Sequence, residues 1–306
     1  MTTMDAQPTL IVITGPTAVG KTDLAISIAL KFKAEIISAD SRQIYREISI
    51  GTAKPSPDQL QRVPHHFIGS RSVTEYYNAF TYEVEVLELL GNLFQKHPVT
   101  VIVGGSGMYI DAVCNGIDDL PTIDQELRTN LLRKFEQEGL EYLWGQLKLL
   151  DPDYFATVDL KNHKRLLKAI EVSLMTGRPY SSLLTGVKKK REFRIVKIGL
   201  NMERDLLYDR INKRVDLMMQ QGLPEEVKSL SEYSHLNALN TVGYKELFSY
   251  LRGECSLDEA AELIKRNTRR YAKRQLTWFM RDEEICWFAP DETSGIDAYI
   301  RQKTGQ

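Results

Sequence analysis

The sequence predicts an α/β fold, in which helices flank a parallel sheet, with a helical insertion domain. Four short runs rich in aliphatic and β-branched residues have the composition of buried strands, at Thr9–Thr14, 35–38, 99–103 and 193–200. Segments of helical periodicity alternate with these runs, which is typical of a parallel sheet covered on both faces. The stretch between the third and fourth runs has helical periodicity and no strand signal, and this predicts the insertion.

The composition shift in that stretch defines the predicted domain boundaries. We place a catalytic core at residues 1–115 and 193–306, and a helical insertion domain at residues 116–192. Two helices are expected inside the insertion, at 124–150 and 160–175. After the fourth strand the periodicity predicts four further helices, at 204–220, 224–233, 243–251 and 257–281.

The overall charge balance is close to neutral, but the charges are unevenly distributed. The 306 residues include 40 Lys and Arg against 41 Asp and Glu, and 42% are hydrophobic, which excludes a disordered chain. Residues 161–198 contain eleven basic and two acidic residues, and residues 264–281 contain seven basic and no acidic residues. Because local charge determines polyanion binding, the neutral total does not exclude a nucleic-acid partner.

Cysteine usage and hydropathy indicate where the protein is found. Cys114, Cys255 and Cys286 lie far apart, so neither a zinc motif nor a disulfide framework is expected. Residues 1–8 lack the pattern of a signal peptide, and no run approaches the ~18 apolar residues of a membrane span. We therefore expect a reduced, cytoplasmic protein without a membrane partner.

A phosphate-binding loop follows the first predicted strand. The segment fits G-x-x-x-x-G-K-[ST] and lies between a strand and a helix, the context that this motif requires. Its backbone N–H groups would surround phosphate oxygens, the lysine would approach the terminal phosphates, and the final threonine hydroxyl would ligate Mg²⁺. The sheet is therefore expected to be P-loop NTPase-like. The residues of the loop are Gly15, Pro16, Thr17, Ala18, Val19, Gly20, Lys21 and Thr22.

Two polar residues end neighbouring strands and should face the same crevice as the phosphate loop. Ligands of open α/β sheets bind beyond the carboxyl ends of the strands. Asp40 follows the second strand, where its carboxylate would act as a general base or hold Mg²⁺ through water. Ser106 follows the third strand. For both residues the alternative is a helix N-cap.

Basic residues beside apolar stripes suggest anion binding. Arg210 and Arg214 flank an apolar helical stripe and could clamp a departing diphosphate, or could form structural ion pairs. In the helix at 257–281 the basic residues lie outside the apolar face, and no acid lies among them. That face is expected to bind a polyanion, the alternative being a solvated surface. The same two interpretations apply to residues 188–191, which could also be a flexible loop.

Two other chemistries are disfavoured. His65 and His66 are adjacent, so on a strand they point to opposite faces, and no HExxH or Cys/His cluster supports a zinc site. A GxSxG nucleophile elbow is also absent from the sequence, which argues against covalent hydrolase chemistry.

Taken together, the motifs resemble those of the tRNA dimethylallyltransferases, in bacterial form. The matching stretches span residues 15 to 279, and the GTAKP and TRRYAKRQLTWF segments are more specific than the phosphate loop. Two departures from the family pattern are GGSG where GGTG is usual, and Arg42 where an apolar residue is usual. The stretches are GPTAVGKT (15–22), ISADSRQIY (37–45), GTAKP (51–55), VPHH (63–66), GGSGMY (104–109), RINKRV (210–215), VGYKE (242–246) and TRRYAKRQLTWF (268–279).

The resemblance implies a reaction and a set of catalytic residues. The phosphate loop would hold dimethylallyl diphosphate rather than ATP, and Asp40 would take a proton from the adenine N6 amine. Arg210 and Arg214, with Mg²⁺ at Thr22, would neutralise the leaving diphosphate. The implied catalytic residues are Thr17, Asp40, Arg210 and Arg214.

The resemblance also implies contacts with the anticodon stem-loop of tRNA. The target base would leave its stack to reach the crevice, and the insertion and the basic helix would hold the RNA backbone. We expect a monomer. The implied tRNA-binding residues are Asp40, Ser41, Arg42, Gln43, Ser106, Arg128, Lys164, Arg165, Leu166, Leu167 and Lys168.

Three other functions use parts of the same pattern. A small-molecule or nucleotide kinase would share the phosphate loop but would not need the two basic segments. A prenyltransferase acting on free adenine nucleotides would leave the basic insertion without a role. A non-enzymatic RNA-binding protein or nucleotide-gated switch would not need a carboxylate facing the phosphate loop.

Overall fold

The computed structural model describes residues 7–121 and 124–305. Most of the N-terminal segment whose sequence argues against a signal peptide therefore lies outside the described residues. Within the described ranges, no helix combines the length and apolar composition that a membrane crossing requires.

The described residues form a six-stranded parallel sheet in the order β3-β2-β4-β1-β5-β6. The prediction of an α/β fold with a parallel sheet flanked by helices is confirmed. The two edge strands, β3 and β6, were not predicted from the sequence. The strands are β1 (Thr9–Thr14), β2 (Ile36–Ser38), β3 (His65–His66), β4 (Val99–Val103), β5 (Arg194–Leu200) and β6 (Cys286–Phe288).

The helices alternate with the strands and then dominate the second half of the chain. The helix predicted at 224–233 is wrong in its last turns, because the α-helix ends at Ser229 and a separate 3₁₀ turn follows. The helices are α1 (Lys21–Phe32), α2 (Pro57–Arg62), α3 (Ala79–Phe94), α4 (Gly107–Asn115), α5 (Gln125–Leu150), α6 (Pro152–Thr157), α7 (His163–Thr176), α8 (Arg204–Gln220), α9 (Leu223–Ser229), α10 (Tyr244–Leu251), α11 (Leu257–Phe279) and α12 (Thr293–Thr304).

The sheet is buried because its central strands carry almost only apolar side chains. All residues of β1 and β4 are buried, as expected for parallel strands covered by helices on both faces. Aliphatic residues of α1 and α8, with Ile296 and Ile300 of α12, pack into the same core. This rigid centre fixes the positions of the loops at the carboxyl ends of the strands.

The chain divides into two compact units. Residues up to Asn115 and residues from Lys190 onward form the first unit, which contains the sheet, and Gly116–Lys189 form the second. The second unit is helical and has its own core, built by α5 and α7 around Leu143, Leu147 and Leu166. Helix α5 is interrupted at Gly139, whose φ of 74° is not helical.

Strand β4 lies between β1 and β2 and brings three loops together. The backbone N–H of Gly104 donates to Ile13 O at 3.2 Å, and that of Ala39 donates to Val103 O at 2.7 Å. The N–H of Ser106 donates in turn to Ala39 O at 3.1 Å. The loop after β4 is therefore bonded to the ends of both neighbouring strands.

Candidate active site

The phosphate loop connects β1 to α1, as its motif predicts. Gly20 occupies the N-cap position of α1 with a φ of 107°, a left-handed conformation that favours glycine. The helix begins at Lys21, so the positive end of its dipole points into the loop. The loop residues Thr17, Ala18, Gly20, Lys21 and Thr22 line a cavity of about 640 Å³.

Lys21 and Arg214 make this cavity electropositive. The Nζ of Lys21 donates hydrogen bonds to Gly15 O at 3.0 Å and Pro16 O at 2.7 Å. Burial, with a smaller contribution from the nearby Arg214, lowers the pKa of Lys21 to about 7 against the opposing effect of Asp40. Burial also lowers the pKa of Arg214, against the effect of Asp40. Two crowded cations and one carboxylate leave an excess of positive charge, which an anion would stabilise.

Asp40 follows β2 and lines the same cavity. Its Oδ1 accepts hydrogen bonds from the backbone N–H of Arg42 at 2.8 Å and of Gln43 at 3.2 Å. Residues 41–44 form turns rather than a helix, so the helix N-cap alternative is wrong, although the carboxylate does cap a turn. Oδ2 has no hydrogen bond with the described part of the chain. One oxygen therefore fixes the carboxylate, and the other can accept a proton.

Ser106 directly precedes α4, but its hydroxyl bonds to Ser41. The Oγ of Ser106 accepts a hydrogen bond from the backbone N–H of Ser41 at 2.9 Å and donates one to Ser41 Oγ at 3.2 Å. The hydroxyl thus joins the loop after β4 to the turn that begins at Asp40. Its predicted contact with tRNA stays a prediction.

The side chains of Arg42 and Gln43 form hydrogen bonds within the protein. Arg42 Nη1 donates to Asn237 O at 3.0 Å and Ala238 O at 3.3 Å. Gln43 Nε2 donates to the carbonyls of Thr52 and Ala53, each at 3.1 Å. Both side chains therefore shape the wall of the site, and a direct RNA contact by either one is untested.

Arg210 and Arg214 lie one helical turn apart on α8 and both line the phosphate-loop cavity. Neither forms an ion pair with a carboxylate in the described ranges, which disfavours the structural ion-pair alternative. Arg210 Nη1 lies 3.3 Å from Val19 O in the phosphate loop. Arg214 is the more buried of the two and is the one close to Asp40 and Lys21.

A second cavity, of about 540 Å³, meets the first at shared residues. Both volumes lie within the range of small-molecule sites. Arg270, Tyr271 and Arg274 of α11 line the second cavity, together with aliphatic side chains of α8. The residues that line both cavities are Thr17, Asp40, Thr52, Ala53 and Arg214.

The basic residues of α11 do not all face solvent or a ligand. Lys265 Nζ lies 2.7 Å from Asp216 Oδ1 and 2.8 Å from Glu262 Oε1. The expectation that no acidic side chain pairs with the basic face is therefore wrong at Lys265. Arg269 Nη1 donates to Asn212 Oδ1 at 2.6 Å. Arg270 and Arg274 are exposed and line the second cavity.

The other basic segment is also partly neutralised. Arg191 pairs with buried Glu83 at 2.8 Å and donates to the carbonyls of Ala112 and Val113 at the end of α4. Lys197 is buried and pairs with Asp282 at 2.7 Å and with Glu284 at 2.6 Å. The polyanion interpretation is therefore wrong for these two cations.

The predicted tRNA contacts of the second unit differ in accessibility. Leu166 and Leu167 are buried in its core, so a role for their side chains on the RNA-binding surface is wrong. Lys164 and Arg165 are exposed, and Lys168 is half-buried. Arg128 forms a bidentate pair with Glu171, with Nε–Oε1 at 2.7 Å and Nη2–Oε2 at 3.1 Å.

Two side chains that fix the site were not predicted from the sequence. Gln275 of α11 is buried and bonds to the phosphate loop, and Glu226 of α9 accepts three backbone N–H groups of residues 49–51. Both residues are polar groups on otherwise ordinary helices, so hydrophobic periodicity gives no signal for them. Gln275 lies inside the recognised TRRYAKRQLTWF segment, which could have pointed to it, whereas Glu226 meets the start of the GTAKP segment only in the folded chain.

The chain is similar to known proteins over most of its length. The IPP transferase family model matches residues 43–282. tRNA dimethylallyltransferase 1 of Bacteroides thetaiotaomicron is 57% identical over 294 residues, covering 96% of each chain.

The chain belongs to the IPP transferase family.

Members of this family with solved structures have the same fold. The tRNA isopentenylpyrophosphate transferase of Bacillus halodurans superposes with a TM-score of 0.71 at 35% identity, covering 98% of this chain and 97% of that one. A eukaryotic dimethylallyltransferase described as acting on tRNA superposes with a TM-score of 0.77 at 25% identity, covering 96% of this chain and 77% of that one. The family resemblance of the sequence motifs is thereby confirmed.

Proposed function

We propose that this protein transfers the dimethylallyl group of dimethylallyl diphosphate to N6 of the adenosine 3′-adjacent to the anticodon of tRNA, position 37, and releases diphosphate. The observation that carries the proposal is the meeting of two cavities at Asp40, Thr17 and Arg214. One cavity has the electropositive phosphate loop, and the other has exposed arginines of α11. A carboxylate lies at their junction, where a nucleophile from one cavity would meet a donor from the other.

The chemistry follows from this placement. The N6 nitrogen forms a bond to the allylic carbon as the bond from that carbon to the diphosphate oxygen breaks. Asp40 Oδ2 accepts the proton that N6 loses, while Oδ1 stays bonded to the backbone. Lys21, Arg210 and Arg214 balance the charge that develops on the departing diphosphate. No covalent intermediate with the enzyme is needed, so positioning and electrostatics supply the rate enhancement.

We propose that Mg²⁺ accompanies the diphosphate at Thr22. The described residues contain no group of three His, Cys, Asp or Glu side chains able to hold a metal alone. Mg²⁺ commonly takes one or two protein oxygens and fills its other positions with phosphate oxygens and water. Thr22 lines the phosphate-loop cavity, and its hydroxyl provides one such oxygen. When bound, the ion would neutralise diphosphate charge.

The RNA-binding surface and the cellular context belong to the same proposal. In the first unit, Arg270 and Arg274 supply cations for the RNA backbone; in the second unit, Lys164, Arg165 and Lys168 are proposed to do the same. We also propose that the protein acts as a cytoplasmic monomer. Size-exclusion chromatography with light scattering tests the oligomeric state, and cell fractionation tests the location.

The decisive experiment offers alternative substrates to one enzyme preparation. The protein is incubated with Mg²⁺, labelled dimethylallyl diphosphate and unmodified tRNA that has adenosine at position 37. Label in the tRNA supports the proposal, and a tRNA with guanosine at that position should stay unlabelled. Label in free AMP but not in tRNA would instead indicate an adenine-nucleotide prenyltransferase. Transfer of the γ-phosphate of ATP would indicate a kinase.

A further inference from the structure

The side chain of Gln275 joins two loops of the site. Its Oε1 accepts a hydrogen bond from the backbone N–H of Thr17 at 2.8 Å, and its Nε2 donates one to Gly105 O at 2.9 Å. The residue is 6% exposed; its bond to Gly105 is buried, and its bond to Thr17 is partly buried at the edge of the cavities. A single buried amide thus ties the phosphate loop after β1 to the glycine-rich loop after β4.

The glycine-rich loop fits closely against this part of α11. A Cβ added at Gly105 would lie 2.1 Å from Gln275 Nε2, and one added at Gly107 would lie 2.3 Å from Trp278 Nε1. The indole N–H of Trp278 donates to Asp111 Oδ2 of α4 at 2.9 Å. Two glycines of the GGSG segment are therefore required by side chains of α11.

The two hydrogen bonds of Gln275 hold residues that lie next to the groups of the proposed reaction. Thr17 lines both cavities, and Gln275 satisfies its backbone N–H, so the position of Thr17 depends on that bond. On the other side, Gly105 precedes Ser106, whose hydroxyl bonds to Ser41 beside Asp40. Displacing the amide would shift the donor loop relative to the proposed base.

The helix that carries Gln275 also carries the exposed arginines of the second cavity. Arg274 is its chain neighbour, Arg270 lies about one helical turn before Arg274, and both line that cavity. We propose that Gln275 is a positioning residue. It holds the phosphate loop and the glycine-rich loop in fixed positions relative to α11, the helix that faces the acceptor. This inference rests on the proposed dimethylallyl transfer. It assigns Gln275 a role in aligning the donor with the acceptor, not in binding either one.

The test replaces the amide with a side chain of similar length that cannot form these hydrogen bonds. In Gln275→Met, kcat should fall by about tenfold to a hundredfold, because small misplacements of reacting groups have effects of this size. The KM for the donor and for tRNA should each change less than about threefold. Hydrogen exchange at the Thr17 amide should accelerate. The matched control is Thr277→Ala on the exposed face of the same helix, which should behave like the unaltered protein.

Several outcomes would overturn the proposal. The proposal fails if kcat stays within twofold of that of the unaltered protein although the Thr17 amide exchanges faster. It also fails if the substitution raises KM and leaves kcat unchanged. If Gln275→Met does not fold, Gly105→Ala decides by the same kcat and KM comparison, because its methyl group displaces the amide from the opposite side. Misfolding of both variants would assign the amide to folding alone. If the unaltered protein transfers no dimethylallyl group, the proposed function fails. Hydrogen exchange at the Thr17 amide would still show whether Gln275 holds the phosphate loop.

Discussion

The hydroxyl of Tyr244 donates a hydrogen bond to Glu226 Oε1 at 2.6 Å, and the same carboxylate holds the loop at residues 49–51. The backbone N–H groups of Ser49 and Ile50 donate to Oε2, each at 2.9 Å, and that of Gly51 donates to Oε1 at 3.1 Å. Burial, with the neighbouring Glu226, raises the pKa of Tyr244 well above its ordinary value, so the hydroxyl keeps its proton. The pair therefore fixes the loop that leads into Thr52 and Ala53 of the GTAKP segment, and these two residues line both cavities.

Tyr244→Phe should reduce stability with little change of shape. The substitution removes one hydrogen bond to a charged group that is itself half-buried, so the free energy of unfolding should fall by about 1–3 kcal/mol. Urea denaturation measures this change. Tyr250→Phe on the same helix is the matched control, because its hydroxyl forms no hydrogen bond with the described residues, and it should alter stability much less. Equal stability of the two variants would contradict the role of the pair.

Asp40→Asn should remove the proposed base and keep the turn. The amide oxygen can still accept from the N–H groups of Arg42 and Gln43, but the side chain can no longer take a proton. We expect kcat to fall by about 10²–10⁴-fold, the usual contribution of general base catalysis. Binding of tRNA should change only a few-fold. Single-turnover assays measure turnover and filter binding measures tRNA affinity, with the exposed Asp58→Asn as control. Unchanged turnover would exclude Asp40 as the base.

Arg214→Gln should affect activity more than Arg210→Gln. Arg214 is half-buried beside Lys21 and Asp40 and lines both cavities, whereas Arg210 is exposed and lines one. Removing a charged donor from a desolvated site typically costs about 10²-fold or more in rate. Steady-state kinetics with dimethylallyl diphosphate measures both variants, and Arg204→Gln, exposed at the start of α8, is the control. A larger loss of activity in Arg210→Gln than in Arg214→Gln would contradict the greater role given to Arg214.

The salt dependence of tRNA binding should distinguish paired from unpaired cations on α11. Arg274→Gln should reduce the slope of log K against log salt by about 1, because one phosphate contact is lost. Lys265→Gln should leave the slope unchanged, since Lys265 already pairs with Asp216 and Glu262. Binding titrations across a salt series provide the measurement. Equal slopes for the two variants would mean that Arg274 does not contact the RNA.

Thiol reactivity should report on burial around Cys114. Burial raises the pKa of the Cys114 thiol to about 12, with smaller opposing effects from Lys197 and Arg191. Because the thiolate is the reactive form, Cys114 should resist alkylation at pH 8 in the folded protein. In the unfolded protein its pKa returns to an ordinary value, so the thiol becomes reactive. Mass spectrometry should find modification at Cys255 and Cys286 only, until denaturant is added.

Much of the central fold could be predicted because long periodic segments report burial directly. The predicted strand at 99–103 and the predicted helix at 204–220 have the bounds of β4 and α8. Strands β3 and β6 have only two and three residues, too few for a period to show. They exist because the neighbouring strands β2 and β5 offer open edges, which is tertiary information.

The site could be predicted only where its residues lie in local motifs. The phosphate loop and Asp40 follow strands, so sheet topology alone brings them to one edge. Counting charges within one segment failed at Lys265 and Lys197, because their partners Asp216 and Asp282 lie outside the counted segments. Gln275 is polar yet buried, and only the folded structure supplies its two partners.

The position of β4 between β1 and β2 has a consequence for biosynthesis. The phosphate loop and Asp40 leave the ribosome early, but the strand that separates them in the sheet is made later. Arg214 and Gln275, which complete the site, follow later still. Long-range pairings of this kind form after local structure. A growing chain therefore acquires a complete catalytic centre only when synthesis has passed α11, and truncated products that end earlier would lack part of it.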